Sequence, residues 1–373
     1  MRILEAFGEP LSYGGQEAFV MNMLGCMDRS DMTIDLLSPY YCDNDRLIST
    51  IREYGGEVYT LGCSFRPGSV RTGAVKPVMK FLKSHKYDVI HIHSGSSSML
   101  AILAWAAGSS GIPGIIVHSH CTGVYGWKHS VSKILTTPAL LKYPTEYCAC
   151  SKEAGEWRFS KKICRDRLKI IPDGIELERF LYDADKRSAV RKELGIEDDN
   201  IVIGNVGRLS FQKNQSFLLY LLKEIKGADV PGGNCYKLLL VGNGKDMAEL
   251  KTKAAELGLG EDVIFTGARN NVSDYYQAID VLAVPSHFEG LGMVVIEGQA
   301  AGLDVIASEA VPRLADVTGS VSFISLDNSE EWIKALTAPH KRHYEYNAMV
   351  KASGFTAGYT AEIVRDMYCK WKA

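Results

Sequence analysis

The chain has 373 residues, 46% of them apolar, and a formal net charge of −2; it is long for one doubly wound domain, comfortable for two, and apolar enough to fill two cores. Its nine cysteines contain no C-x-x-C pair, which argues against a zinc site or a disulfide scaffold, and no DNA or RNA motif accompanies the basic residues, so no nucleic-acid partner is expected. The first residues lack a charged start followed by an apolar core, and the apolar run Met99 to Ala107 is too short to span a bilayer, so a cytoplasmic protein is expected.

Short β-branched runs alternate with helical stretches along the chain. Arg2-Ile-Leu, Thr33-Ile-Asp-Leu-Leu, Asp88-Val-Ile and Gly114-Ile-Ile-Val head a first series. Cys148 and Cys150 alternate along a further strand and read as packing residues. The strand Leu168-Lys-Ile-Ile171 then runs into the turn Pro172-Asp-Gly174, where a domain boundary and hinge are placed. A charged, helix-forming stretch from 176 to 200 leads to a second series, headed by Asn200-Ile-Val-Ile, Lys237-Leu-Leu-Leu-Val, Asp262-Val-Ile-Phe and Asp280-Val-Leu. The alternation predicts an α/β protein of two Rossmann-like, doubly wound parallel sheets, over 1–174 and 175–356, facing across a cleft with ligands at the strand C-termini.

The small net charge hides an asymmetry. Residues 1–172 carry 20 Lys+Arg against 15 Asp+Glu, and the remainder 22 against 29; residues 61–142 hold nine basic residues and one acid, Asp88. Lys76, Lys80 and Lys83 recur at helical spacing and, with Arg66 and Arg71, form a predicted patch for an anionic membrane surface. A solvated helix face is the plainer explanation of the same spacing.

The most informative segment is Pro285-Ser-His-Phe-Glu289-Gly-Leu-Gly-Met-Val-Val-Ile-Glu297. Asp280 to Pro285 reads as a buried strand and Met293 to Ala301 as a helix, with Glu289 just outside the helix and Glu297 about two turns inside it. Gly290, Leu291 and Gly292 let the backbone approach a ligand where the helix opens, and free N–H groups there suit an anion. A phosphorylated, hydroxyl-rich ligand such as a nucleotide sugar fits this pattern. In Gly204-Asn-Val-Gly-Arg208-Leu-Ser-Phe-Gln-Lys213, a glycine turn is followed by two cations, a guanidinium able to hold phosphate oxygens bidentately and an ammonium acting as a point charge. Gly242, Asn243 and Gly244 make a second permissive turn, and Gly14-Gly15 a third.

With Gly14-Gly15-Gln16-Glu17, Asp88-Val-Ile-His-Ile-His93, Ile116-Val-His-Ser-His120, Ile171-Pro-Asp-Gly-Ile175, Gly207-Arg208 with Lys213, and Leu240-Val-Gly-Asn-Gly244, the Glu-x7-Glu segment resembles, over nearly the whole chain, the retaining glycosyltransferases of family 4 with two Rossmann-like domains, known as GT-B. The exopolysaccharide and capsule branch is the most similar. The resemblance implies that the last helix, within 357–373, packs back on the first domain. It implies that the second domain binds a nucleotide-diphosphate sugar, more often uridine-linked, through Arg208, Lys213, Gly242, Asn243 and Glu297, the last on ribose hydroxyls. Glu289 and His120 would face the transferred sugar. Gly14 and Gly15 would close over the donor phosphates, and the first domain would take a saccharide or lipid-linked saccharide acceptor at the inner face of the membrane. No cofactor and no metal are expected, since Arg208, Lys213 and helix dipoles take a divalent ion's place. The pocket around His120, Tyr125, Trp127 and Phe288 would select the sugar.

The chain departs from the family pattern at Asp173, where Asn is usual, at Gly298, where Ala is common, and at Asp304, where many relatives carry Pro; a Gly-Gly loop after Ile306 is missing. Two other readings compete. The pairs His91/His93 and His118/His120 alternate on strands and could supply four ligands to a metal-dependent hydrolase. A nucleotide-sugar-binding partner that has lost catalysis is the other.

Overall fold

The computed structural model describes residues 1–66, 71–120, 127–228 and 235–372, with 127–129 described by their backbone alone. Two compact units emerge, Met1–Ile175 with Ala357–Ala373, and Glu176–Thr356. The first unit holds seven strands: β1 (Arg2–Phe7), β2 (Thr33–Ser38), β3 (Val58–Thr60), β4 (Val89–His93), β5 (Gly114–Ser119), β6 (Glu146–Ala149) and β7 (Leu168–Ile170). They lie in the order β3-β2-β1-β4-β5-β6-β7, every neighbouring pair parallel. The second unit holds β8 (Ile201–Val206), β9 (Tyr236–Val241), β10 (Val263–Gly267), β11 (Val281–Val284), β12 (Asp304–Ser308) and β13 (Ser322–Ile324), in the order β10-β9-β8-β11-β12-β13, also parallel.

Alternation along a strand sends successive side chains to opposite faces, and in the first unit both faces are packed. Leu4, Ile90, Ile92 and Val117 meet the helices Val75–Ser84, Ser97–Ser109 and Lys161–Asp166 on one side. Ile3, Val89 and Ile116 meet Gly15–Cys26 and the C-terminal helix Ala357–Cys369 on the other, through Phe19, Met23, Val364 and Tyr368. The apolar run from Met99 is therefore a core helix. No helix among the described residues is long and apolar enough to cross a membrane. Asn44, Ser96, Ser151 and Ser160 cap helices by accepting backbone N–H bonds, each worth about 1 kcal/mol.

Both strand orders reverse once, between β1 and β4 and between β8 and β11. Loops leaving the two strands diverge at such a point, opening a crevice at their C-terminal ends. In the second unit this places Gly207-Arg208, which follow β8, beside Ser286–Glu289, which follow β11.

Candidate functional site

In the second unit the two loops at the strand reversal are fastened together. The amide of His287 donates to the Gln212 carbonyl (2.8 Å), and Gln212 Nε2 donates to the Phe288 carbonyl (3.0 Å). The Phe211 and His287 rings stack with centroids 4.5 Å apart. Lys213 Nζ donates to Glu289 Oε1 at 2.6 Å, and Ser286 Oγ donates to the same oxygen at 2.6 Å. Glu289 is only 8% exposed, so this ion pair sits where water screens it weakly. Lys213 also lies over the preceding turn, since a Cβ at Gly207 would come 3.3 Å from its Cε.

The turns are held by backbone geometry that only glycine tolerates. Gly242 has φ +140°, and a Cβ there would lie 2.0 Å from the Gly207 carbonyl oxygen. Asn243 is exposed, and its carbonyl accepts from Leu209 N. The Arg208 guanidinium is exposed and joins none of the ion pairs found among the described residues, while its carbonyl is fixed by Gln215 Nε2 at 3.1 Å. Gln215 also donates to Asn205 Oδ1 (3.1 Å), and Asn205 to the Ala283 carbonyl (2.8 Å), so a buried amide chain ties β8 to β11.

Gly290 and Leu291 are buried and Gly292, at φ +86°, caps the helix Met293–Ala300. Glu297 lies about one turn inside this helix, not the expected two, because the helix opens at Met293. Its Oε2 accepts from Tyr276 Oη at 2.6 Å. Burial raises the Glu297 carboxyl above its usual range, against the pull of Tyr276 and Lys213, and burial beside Glu297 raises the Tyr276 phenol. Tyr276 is in turn held by Arg342, whose Nη2 donates to its carbonyl at 3.0 Å. Sequence reasoning found Lys213, Glu289 and Glu297 but missed Tyr276, Ser286, Gln215 and Arg342, which lack motif spacing and act only through tertiary contacts. The departures have local causes. A Cβ at Gly298 would lie 2.5 Å from Leu282 Cδ2, and Asp304 accepts from His340 (2.9 Å) and His343 (3.1 Å).

In the first unit, Gly14 is the N-cap and Gly15 the first residue of the helix Gly15–Cys26. A Cβ at Gly14 would meet Glu17 Oε2 at 2.6 Å, while Glu17 Oε1 accepts from Ser12 N. His120, which directly follows β5, is no lone histidine. Its Nε2 faces His93 Nδ1 at 2.8 Å and its Nδ1 faces Asp173 Oδ1 at 3.3 Å. Both ring nitrogens thus have partners within the protein. Tyr125 and the side chain of Trp127 lie outside the described residues.

All four histidines of the two pairs share one sheet face with Glu5, beneath Phe19 and Tyr368. His93 Nε2 meets Glu5 Oε2 (2.7 Å), His91 Nδ1 meets Tyr368 Oη (2.7 Å), His91 Nε2 meets His118 Nδ1 (3.2 Å), and Tyr368 Oη donates to Glu5 Oε1. Glu5, His91, His93 and His118 are wholly buried. Burial, then the neighbouring imidazoles, holds His91, His93 and His118 far below the usual histidine pKa, and burial raises Glu5 against the pull of His91 and Tyr368. Ligand atoms of His91, His93 and His118, and of His118, His120 and Asp173, lie within 4.8 Å of one another, a spacing that would suit an ion. Yet seven of the eight ring nitrogens already hydrogen-bond, and His118 Nε2 alone has no partner. The fit is to protons shared among neighbours.

The basic residues expected to share one patch are not all on the surface. Lys76, Lys80 and Lys83 are exposed along one face of the helix Val75–Ser84, and Arg66 is exposed. Arg71 is not part of it: its side chain is 10% exposed, and its Nη1 donates to Gly8 O (2.6 Å) and Glu9 Oε1 (3.0 Å), bracing the end of β1.

Comparison with known proteins follows the same division. Residues 13–179 match the profile of Glycosyltransferase Family 4, and residues 186–337 that of Glycosyl transferases group 1. The putative glycosyltransferase EpsF of Bacillus subtilis (strain 168) is 28% identical over 361 residues, covering 94% of this chain and 91% of the relative. A UDP-Gal:alpha-D-GlcNAc-diphosphoundecaprenol alpha-1,3-galactosyltransferase of Escherichia coli is 29% identical over 239 residues, covering 61% and 59%. The crystal structure of Anabaena Alr3699/HepE in complex with UDP and glucose superposes with a TM-score of 0.75 at 19% identity, over 99% of this chain and 100% of that one.

Proposed function

The chain belongs to the glycosyltransferases of the family 4 type, built on two Rossmann-like domains (GT-B), and from that premise we propose that it moves a sugar, with retention of anomeric configuration, from a uridine diphosphate sugar to a saccharide or lipid-linked saccharide acceptor in bacterial surface polysaccharide synthesis. The observation that carries this reading is the Lys213–Glu289–Ser286 cluster in the same unit as the exposed Arg208 and as Glu297, which lies one turn inside the helix Met293–Ala300. Departure of a diphosphate builds negative charge on the leaving oxygen. Preorganised cations and helix amides stabilise that charge without reorganisation at the moment of reaction. Arg208 grips the phosphate oxygens, and Lys213 shares its charge between Glu289 and the diphosphate. The acceptor oxygen bonds to the anomeric carbon as the carbon–oxygen bond to phosphate breaks, its electron pair leaving with the diphosphate. Glu289 holds the sugar hydroxyls and offsets the oxocarbenium charge; Glu297, oriented by Tyr276, accepts from the ribose. The named specificity of the Escherichia coli relative and the UDP held by the Anabaena protein favour a uridine donor and a lipid-linked acceptor.

Because these cations serve the leaving group, transfer needs no divalent ion; activity lost in EDTA and restored by manganese would overturn this part. Thermal shift with UDP, other nucleoside diphosphates and nucleotide sugars in EDTA tests the donor site. Stabilisation by one nucleotide that disappears in Glu297→Ala supports it, and no shift with any nucleotide refutes it.

The first unit takes the acceptor and rests on the inner leaflet of the membrane. In the same unit, the helix Trp127–Lys142 exposes Val131, Ile134, Leu135 and Leu141, apolar side chains that suit the headgroup boundary. Replacing Lys76, Lys80 and Lys83 with Glu is expected to abolish binding to anionic liposomes, and unchanged binding refutes the docking.

A further inference from the structure

The loop that carries Glu289 is gripped from two sides, and the transfer chemistry above uses only one of them. On the side of β8, Gln212 and Lys213 reach His287, Phe288 and Glu289. On the other side lies β12, which pairs in parallel with β11, Val284 standing opposite Ala307. The next residue of β12, Ser308, is 1% exposed, and its Oγ donates to the Ser286 carbonyl at 2.5 Å. A hydroxyl enclosed at the end of a strand needs a partner, and this one finds it in the loop rather than in the sheet.

That bond falls on a peptide group whose other edge is also held. The Ser286 carbonyl and the His287 amide belong to one planar trans unit, so they point in opposite directions. Ser308 takes the carbonyl, and the Gln212 carbonyl takes the amide at 2.8 Å. The plane cannot rotate without breaking one of the two bonds. Its rotation is what aims the Ser286 hydroxyl, which donates to Glu289 Oε1 at 2.6 Å beside the Lys213 ammonium, also at 2.6 Å. Two donors meeting on one oxygen set the tilt of the carboxylate. Ser308 therefore stands two hydrogen bonds away from Glu289.

The chain beyond Ser308 supports the same loop a second time. The Val311 amide donates to the Ser308 carbonyl at 3.0 Å, closing a turn. The turn brings buried Val311 onto the glycine where the helix Met293–Ala300 opens, since a Cβ at Gly292 would come 3.0 Å from Val311 Cγ1. Further on, Gln299 Oε1 accepts from the Val317 and Thr318 amides, both at 3.0 Å, which ties the segment to that helix. The segment after β12 is thus built as a wall for the loop 285–292.

We propose that Ser308 is a positioning residue for sugar transfer: through the Ser286 carbonyl it fixes the peptide that aims the Ser286 hydroxyl, and so holds the Glu289 carboxylate in place for the donor sugar. This rests on the glycosyltransferase reading. Ser308 acts through Ser286 rather than on the substrate, and a reacting group misplaced by about 1 Å can lose about 100-fold in rate.

Ser308→Ala, Ser308→Thr and Ser308→Val separate the hydroxyl from its volume. UDP release from UDP-glucose is expected to show kcat lowered by about 10- to 100-fold in the alanine and valine variants, with KM little changed, and most of the rate restored by threonine. Ser286→Ala should lose a similar factor, and Ser286→Ala/Ser308→Ala no more, because the two hydroxyls act in series. The thermal shift given by UDP, which lacks the sugar, should persist in every variant. Losses that add in the double variant, or a threonine variant as slow as the valine one, overturn the proposal. A UDP shift lost in Ser308→Ala also overturns it, by making Ser308 a support of the whole unit. A wild type that releases no UDP from any donor defeats the donor reading instead, and the ligand-free crystal structure of Ser308→Ala then decides the positioning. A Ser286 hydroxyl turned away from Glu289 supports it, and an unmoved Ser286–Glu289 contact overturns it.

Discussion

The two units share a strand reversal but place their ionisable groups in opposite ways. The first draws Glu5 and four histidines into the sheet's inner face, where imidazoles and Tyr368 satisfy one another. The second places Lys213, Glu289 and Arg208 in loops that follow its strands, with Lys213 on Glu289 and Arg208 turned to solvent. Neutral groups buried in mutual hydrogen bonds suit the cohesion of a core. Charges fixed at the mouth of a crevice suit the binding of a charged ligand. A shared fold therefore sets where each function can sit, while the choice between alternate strand faces and loop ends sets which function it is.

The largest effect expected from this contrast is on acid stability. His91, His93 and His118 are held neutral by burial in the folded unit, while in the unfolded chain they bind protons below about pH 6.5. Their stabilisation is fully present above that pH and is lost as pH falls, by about 4 kcal/mol per pH unit for three protons. Glu5 acts the other way. Its folded carboxyl keeps its proton to a higher pH than the unfolded one, so between those two values the net slope corresponds to two protons. Hydrogen exchange between pH 5 and 8 should show the first unit opening well before the second; parallel loss from both would break the contrast.

Next comes the cation pair. Lys213→Ala removes the cation proposed to serve the leaving group and strands Glu289, which remains buried beside Ser286. A loss of about 100- to 1000-fold in kcat is expected, typical of a preorganised donor. A change confined to KM would make Lys213 a binding residue only.

Much of this was legible in the chain and some was not. β1, β2, β4, β5, β8, β9, β10 and β11 announce themselves because buried parallel strands need continuous apolar runs. The three-residue edge strands β3 and β13 bury little and left no such pattern. His-x-His implies two rings on one face, but the stack depends on strand register, which sets His91 opposite Glu5 and His93 opposite His118. Tyr368 joins Glu5 from 363 residues away, and no local pattern encodes that. Arg71 was misplaced for the same reason: charge counting cannot see Glu9 waiting at the end of β1.

A smaller effect would sharpen the contrast on the backbone side. Gly242→Ala must place a Cβ where the Gly207 carbonyl stands, at a φ unfavourable to alanine. A cost of about 1–3 kcal/mol is expected in the second unit alone, together with loss of the thermal shift given by UDP as Gly207-Arg208 moves. Wild-type stability with wild-type nucleotide response would mean that the two turns do not need their close approach.

The smallest effect tests whether the second unit, too, tunes a carboxyl by burial. Tyr276→Phe removes one donor from Glu297 and leaves the packing of the ring intact. Burial already raises the Glu297 carboxyl, and the Tyr276 hydrogen bond pulls it back toward the charged form. Without that donor the carboxyl rises further, so a carboxylate needed to accept from ribose is lost at a higher pH than in the wild type. UDP affinity should fall by about tenfold at most near neutrality, or about 1.4 kcal/mol, and its decline on acidification should begin earlier. Calorimetry at two pH values separates the cases. An equal loss at both would make Tyr276 a fixed support for Glu297, whereas a loss that grows as pH falls would mean that burial and one phenol together set the charge of the carboxyl proposed to accept from ribose.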